Sequence, residues 1–163
     1  MLIALVAFFS FSTLHAQEQK NGLTWYTDLN KAYEQSASTH KPIFGFFTGS
    51  DWCGWCHKLE KDVFAKAEFK TWAAENVILL ELDFPRSKQL PQEIANQNNN
   101  LQQYFKVQGY PTIWLFNMDK DASGKYNMFP MGSLGYPQSA RGKEAATFLS
   151  NANTIMKNNA KKG

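Results

Sequence analysis

Both cysteines of this 163-residue chain fall in one pentapeptide, Trp52-Cys53-Gly54-Trp55-Cys56. Two thiols separated by two residues can open and close a disulfide at little structural cost, and the thiolate is the attacking species in such exchange. A free cysteine, with a pKa of about 8.5, is mostly protonated at neutral pH, so a redox pair needs something that favours the anion. The context supplies it: an apolar run from Ile43 to Thr48 precedes the motif and a helical pattern begins at Cys53. At a helix amino terminus, unpaired N–H groups and the macrodipole stabilise a negative Cys53. Gly54 keeps the backbone clear there. The spacing predicts Cys53 as the exposed nucleophile that forms a mixed disulfide and Cys56 as the resolving thiol.

The same residues admit other chemistry. Cys53-Gly54-Trp55-Cys56-His57 is also a c-type haem attachment signature, with His57 as axial ligand and Met118, Met128 or Met131 as sixth ligand. Haem attachment does not require the strand, turn and helix in which this motif is embedded, which weighs against it. Structural zinc needs four ligands, whereas the chain beyond residue 16 has two cysteines and two histidines, His40 and His57. No cofactor and no metal is therefore expected. His57 reads as a solvent-facing residue and Lys58, Lys61 and Lys66 as a solvated face. A non-catalytic binding or chaperone module with incidental cysteines is the remaining alternative.

The elements that must hold the motif follow from periodicity. Leu23 to Tyr26 forms a short strand, and Asp28 caps a helix running to about Ser38 with Leu29, Ala32 and Tyr33 on one face. Ile43 to Phe47 is continuously apolar, as in a central strand buried on both sides. Gly49-Ser50-Asp51 turns the chain into a helix reaching about Ala65, where Cys56, Leu59 and Val63 share the inward face. A short helix from Lys66 to Glu75 leads to a strand from Val77 to Asp83, then a polar connection from Pro85 to Pro91. Pro91 to Lys106 is helical, with Asn96, Asn98, Asn99 and Asn100 marking a loose start or insertion. Thr112 to Phe116 and Tyr126 to Pro130 pair as a hairpin around the turn residues Asp119 to Lys125. The last helix spans Arg141 to Met156, its stripe being Ala145, Phe148, Leu149 and Ala152.

Composition narrows the class. The chain is 44% hydrophobic and 15% aromatic, so it folds, and its net charge of +3 comes without the basic stripe that nucleic acid demands. Residues 1–16 are almost wholly apolar and end in Ala16 before a polar Gln17. The apolar core is shorter than the roughly 20 residues of a membrane span and reads as a cleaved secretory signal, although it lacks the usual leading cation. Residues 17–163 then form one domain with its core at about 23–157. Exported domains often use several disulfides as staples, but here the only possible intramolecular disulfide is the Cys53–Cys56 pair. Its use is redox, in a periplasmic or otherwise extracytoplasmic setting, with no stable membrane insertion after signal removal.

From about Leu23 to Lys157 the chain resembles the thioredoxin superfamily: an apolar strand runs into Trp52-Cys53-Gly54-Trp55-Cys56, and about 55 residues on Gly109-Tyr110-Pro111-Thr112 opens another strand. Thr48 to Cys56, with Lys41-Pro42 ahead, looks most like exported bacterial thioredoxin-like proteins. The resemblance implies an α/β fold with a central mixed sheet flanked by helices and a cis Tyr110–Pro111 bond facing the disulfide. The backbone of Tyr110 and Pro111 would dock an extended partner strand, and Trp52 and Trp55 an apolar surround. It further implies protein disulfides as substrates and a redox partner protein, a membrane reductase among the candidates. Two departures stand out. Thioredoxins carry a buried acid six residues before the first cysteine, where this chain has Phe47, and a proline where it has Trp55. Glu60, Glu81 or His57 are the candidates to replace that acid. Since Trp55 offers a single N–H to a thiolate, a reductase is favoured over an oxidase.

Overall fold

The computed structural model describes residues 17–160; the expected signal segment lies outside them. Twelve elements follow in order. They are β1 (Gln17–Lys20), β2 (Leu23–Tyr26), α1 (Leu29–Thr39), β3 (Ile43–Thr48), α2 (Gly54–Leu59) with a π-helical continuation Glu60–Phe64, α3 (Ala67–Asn76), β4 (Ile78–Asp83), α4 (Gln92–Tyr104), β5 (Thr112–Lys120), β6 (Tyr126–Leu134) and α5 (Glu144–Ala160). The strands form one mixed sheet in the order β1-β2-β4-β3-β5-β6. β3 runs parallel to β4 from Ile43↔Ile78 to Thr48↔Asp83 and antiparallel to β5.

Every residue of β3 is buried, because helices cover both faces of the sheet. Strand alternation sends Phe44 and Phe46 to one side, where they meet α2, α3 and α5, and Ile43 and Phe47 to the other, against α1 and α4. Phe44 alone contacts the rings of Trp25, Phe64, Phe69, Trp72 and Phe148. This aromatic block anchors the helix that carries the cysteines. Cys56, Leu59 and Val63 are wholly buried against it, as their spacing predicts. The π-helical register then turns both Val63 and Phe64 inward.

Three features depart from the sequence expectation. β1 was not anticipated: it pairs antiparallel with β2 around Asn21-Gly22, both at positive φ as a two-residue hairpin turn requires. The β5–β6 hairpin is longer than expected at both strands, with a register shift at Leu115/Phe116 and with Pro130 on the edge strand β6. The asparagine cluster is no loose start: Asn98 is buried in α4 and its side-chain amide donates to the Asp83 carbonyl at 2.9 Å. Among the described residues, no helix is long and apolar enough to cross a membrane.

Candidate active site

The site is assembled from the turn between β3 and α2. Asp83, at the end of β4, accepts from the Ser50 N–H at 2.8 Å and the Ser50 hydroxyl at 2.6 Å, and pairs with Lys88 at 3.1 Å. Asp51 accepts from the backbone N–H of Arg86 at 3.0 Å and of Ser87 at 2.6 Å, and from the Ser87 hydroxyl. The Ser87 bonds, then that of Arg86, hold the Asp51 carboxyl at about 2, below the ordinary carboxylate range. Two carboxylates thus fasten the turn to the sheet and to the Pro85–Pro91 connection.

Trp52 folds back over Gly49, whose carbonyl accepts from the N–H groups of Trp52 and Cys53 at 3.2 and 2.9 Å. A Cβ at residue 49 would lie 2.4–2.7 Å from Trp52 ring atoms, so only glycine leaves room. The Trp52 indole N–H donates to the Phe84 carbonyl at 2.8 Å, its ring stands edge-on to Tyr110 at 5.7 Å, and the Arg86 guanidinium lies 3.8 Å from its centroid. Tyr110 in turn accepts from the Gln102 side chain at 2.7 Å, and burial pushes its hydroxyl pKa up. The Tyr110–Pro111 peptide bond is cis.

Cys53 and Cys56 are joined in a disulfide, and Cys53 is the N-cap of α2, its Sγ accepting from the Cys56 N–H at 3.2 Å. The helix amino end therefore delivers a donor to the Cys53 sulfur, where it would stabilise a thiolate. Cys53 is less open than expected. It is 5% exposed, against 0% for Cys56, because Trp52 and the aromatic block crowd the turn. Gly54 is exposed, and no other atom lies within 4 Å of where its Cβ would stand, so the protein's own packing does not need a glycine there.

On the other flank Trp55 is 59% exposed and meets Tyr136 edge-on at 5.2 Å. The Tyr136 hydroxyl donates to Asp62 at 2.8 Å, while Lys58 pairs with Asp62 and lies 5.0 Å from the Tyr136 ring. Lys58 is thus part of a trio centred on Asp62, not only a solvated charge; its bond to Asp62 raises the Lys58 pKa, and the bonds from Lys58 and Tyr136 lower that of Asp62. His57 is exposed with Nε2 2.8 Å from the Ser50 carbonyl. Met118 and Met128 pack on the sheet face opposite Cys56, whereas Met131 packs on the Cys56 side. Of the acids considered, Glu81 is buried and ion-paired with Lys20. Burial pushes the Glu81 pKa up against the opposing pull of Lys20. Sequence reasoning gave Gly49 only a place in the turn and passed over Arg86, Asp83 and Tyr136 as site supports; these lie outside the motif.

The fold and the CxxC disulfide define a thioredoxin-like protein. A thioredoxin-like family model matches residues 24–117, more than half of the chain, and the chain belongs to that family. It is 35% identical over 106 residues to the disulfide bond reductase DsbH of Chlamydia pneumoniae, a match spanning 65% of this chain and 64% of that protein. It is 26% identical over 137 residues to the thioredoxin-related protein DsbJ of the same organism, covering 83% of this chain but 38% of DsbJ. The chain thus spans less than two thirds of the length of these curated relatives. A solved structure of a DsbH oxidoreductase superposes with a TM-score of 0.68 at 29% identity, covering 94% of this chain and 95% of that one. A thioredoxin from Thermus thermophilus shares the fold, with a TM-score of 0.55 at 14% identity over 81% of this chain and 85% of that one.

Proposed function

We propose that this protein is a thiol–disulfide oxidoreductase that reduces disulfides of exported proteins. The observation that carries the reading is the Cys53–Cys56 disulfide at the head of α2, with a backbone N–H already directed at the Cys53 sulfur. In the reduced protein the Cys53 thiolate attacks one sulfur of a substrate disulfide, and the displaced substrate thiolate leaves and takes up a proton. Cys56, deprotonated, then attacks the Cys53 sulfur of the mixed disulfide, releasing the second substrate thiol and leaving the Cys53–Cys56 disulfide. Two electrons pass to the substrate in each cycle, and a redox partner, for which a membrane reductase is the fitting class, restores the dithiol. Trp52, Gly54 and Trp55 form the approach surface, and the backbone at Tyr110 and Pro111 docks an extended substrate segment.

The direction rests on Trp55. The residue between the cysteines turns its ring to Tyr136 and carries no titratable group, so it lends little extra stability to the Cys53 thiolate. A strongly oxidising pair needs such stability. The 35% identity to a protein named a disulfide bond reductase supports the same direction. Residues 1–16 act as a secretory signal that delivers the domain outside the cytoplasm. The test is the reduction potential of the pair in glutathione buffers, together with DTT-dependent insulin reduction by wild type and Cys53→Ser. A potential near about −270 mV supports the reductase; one between about −180 and −120 mV reverses the direction. Insulin reduction retained in Cys53→Ser would sink the mechanism.

A further inference from the structure

Arg86 stands apart from the other charges around the site. The two acids of its corner are already engaged: Asp51 by the N–H groups of Arg86 and Ser87 and the Ser87 hydroxyl, Asp83 by Ser50 and Lys88. The guanidinium is exposed and has no carboxylate partner among the described residues. It is nevertheless held in place. Asp51 fixes its backbone, and its side chain lies 3.8 Å from the centroid of the Trp52 ring, which is itself pinned by Phe84, Tyr110 and the space over Gly49. Trp52 directly precedes Cys53, so an ordered, unused fork of donors flanks the reactive disulfide. A planar guanidinium in that state is suited to a carboxylate, which it can grip through two parallel hydrogen bonds.

We propose that Arg86 is a specificity residue that receives a carboxylate of the substrate, selecting protein disulfides in which an acidic side chain lies within three residues of the attacked cysteine. This rests on the oxidoreductase reading above. The ordering cost of the side chain is largely met before the substrate arrives, which is why this cation, and not Lys58 or Lys88, each paired with a carboxylate, discriminates.

The test uses disulfide-bonded peptides that differ only in Glu or Gln at one position, scanned over the three residues on each side of the attacked cysteine. Second-order rate constants are measured with the reduced full-length protein. Wild type is expected to prefer Glu at one or two adjacent positions by about three- to fivefold, the scale of one exposed ion pair. That preference, read as the Glu/Gln rate ratio within each protein, should vanish in Arg86→Gln, be partly kept in Arg86→Lys, and shrink with added salt. No preference at any position in wild type, or one that survives unchanged in Arg86→Gln, overturns the proposal. Failure of the Glu and Gln peptides alike to react with wild type would instead overturn the oxidoreductase reading itself.

Discussion

Gly49→Ala is the most informative single change, because the structure assigns that glycine to space and not to backbone conformation. The added methyl would sit 2.4–2.7 Å from Trp52 ring atoms, so the indole must leave its place. Three interactions go with it: the indole hydrogen bond to Phe84, worth about 1 kcal/mol, the edge-on contact with Tyr110, about 0.5–1.5 kcal/mol, and the Arg86 cation–π contact, about 0.5–1 kcal/mol at an exposed site. Alanine restricts the unfolded chain, which offsets about 0.4–1 kcal/mol. The net expectation is a loss of about 1–3 kcal/mol by urea unfolding followed by far-UV circular dichroism. Near-UV dichroism of the folded protein should also change as Trp52 moves. Gly54→Ala is the internal comparison: with open space around that Cβ and a helical backbone, it should be neutral or stabilising by up to about 1 kcal/mol. A Gly49→Ala protein within about 0.5 kcal/mol of wild type, or a Gly54→Ala protein equally destabilised, would refute the assignment.

Other changes probe the surrounding supports. Asp51 is held at about 2 in the folded protein against an ordinary value of 3.8, so its contribution to stability is complete above about pH 4 and is lost as pH falls through about 2. Asp51→Asn should flatten that acid limb and speed amide exchange at Arg86 and Ser87; unchanged exchange would show that the carboxylate does not hold the loop. Trp55→Ala should cost about 1–2 kcal/mol, since the ring is 59% exposed, yet lower kcat/KM for insulin far more than for a small aromatic disulfide. Equal losses on both substrates would remove Trp55 from the docking surface. Lys20→Met strands Glu81 and should destabilise by about 1–2 kcal/mol at pH 7, below the figure for a fully buried pair because Lys20 is one-third exposed. Lys20→Met/Glu81→Leu should recover most of that loss, and failure to recover would deny the pair its role. Because burial raises the folded pKa of Glu81, wild-type stability carries a component that falls as pH rises above about 4.5, which Glu81→Gln should abolish in urea melts.

What could be read from the sequence was what one element dictates by itself. The unbroken apolar run of β3, the Asp28 cap with its 2.7 Å bond to Asn30, and the Cys56, Leu59, Val63 face are local patterns, and each appears in the fold. The Asn21-Gly22 hairpin turn went unread, because the strand before it is polar, lies on the sheet edge and gives no periodic signal. The supports of the site were hidden for a different reason. Asp83 and Ser50 are 33 residues apart, Asp51 and Ser87 are 36, and Tyr136 and Asp62 are 74, so each pairing exists only once the sheet has set the distances. Trp52 and Trp55 look interchangeable in the motif. The fold makes one a pinned plate and the other an open surface.

The same topology bears on the acid that Phe47 lacks. Phe47 stacks on Phe84 and meets Phe105 edge-on, on the face of the sheet shared with α1 and α4. A carboxylate introduced there would lose both rings and stand among apolar neighbours. On β4, Leu80 and Leu82 occupy that face while Leu79 lies on the Cys56 side, so alternation puts Glu81 on the Cys56 side. Of the other candidates, His57 is exposed with its ring at the Ser50 carbonyl, and Glu60 is only half-buried. Glu81 is therefore the one buried acid of the three, and Lys20 beside it keeps a charge within reach whether or not the carboxyl is protonated. The hairpin that the sequence did not announce thus has a chemical consequence: β1 brings in the cation that lets β4 carry a buried acid on the sheet face of Cys56.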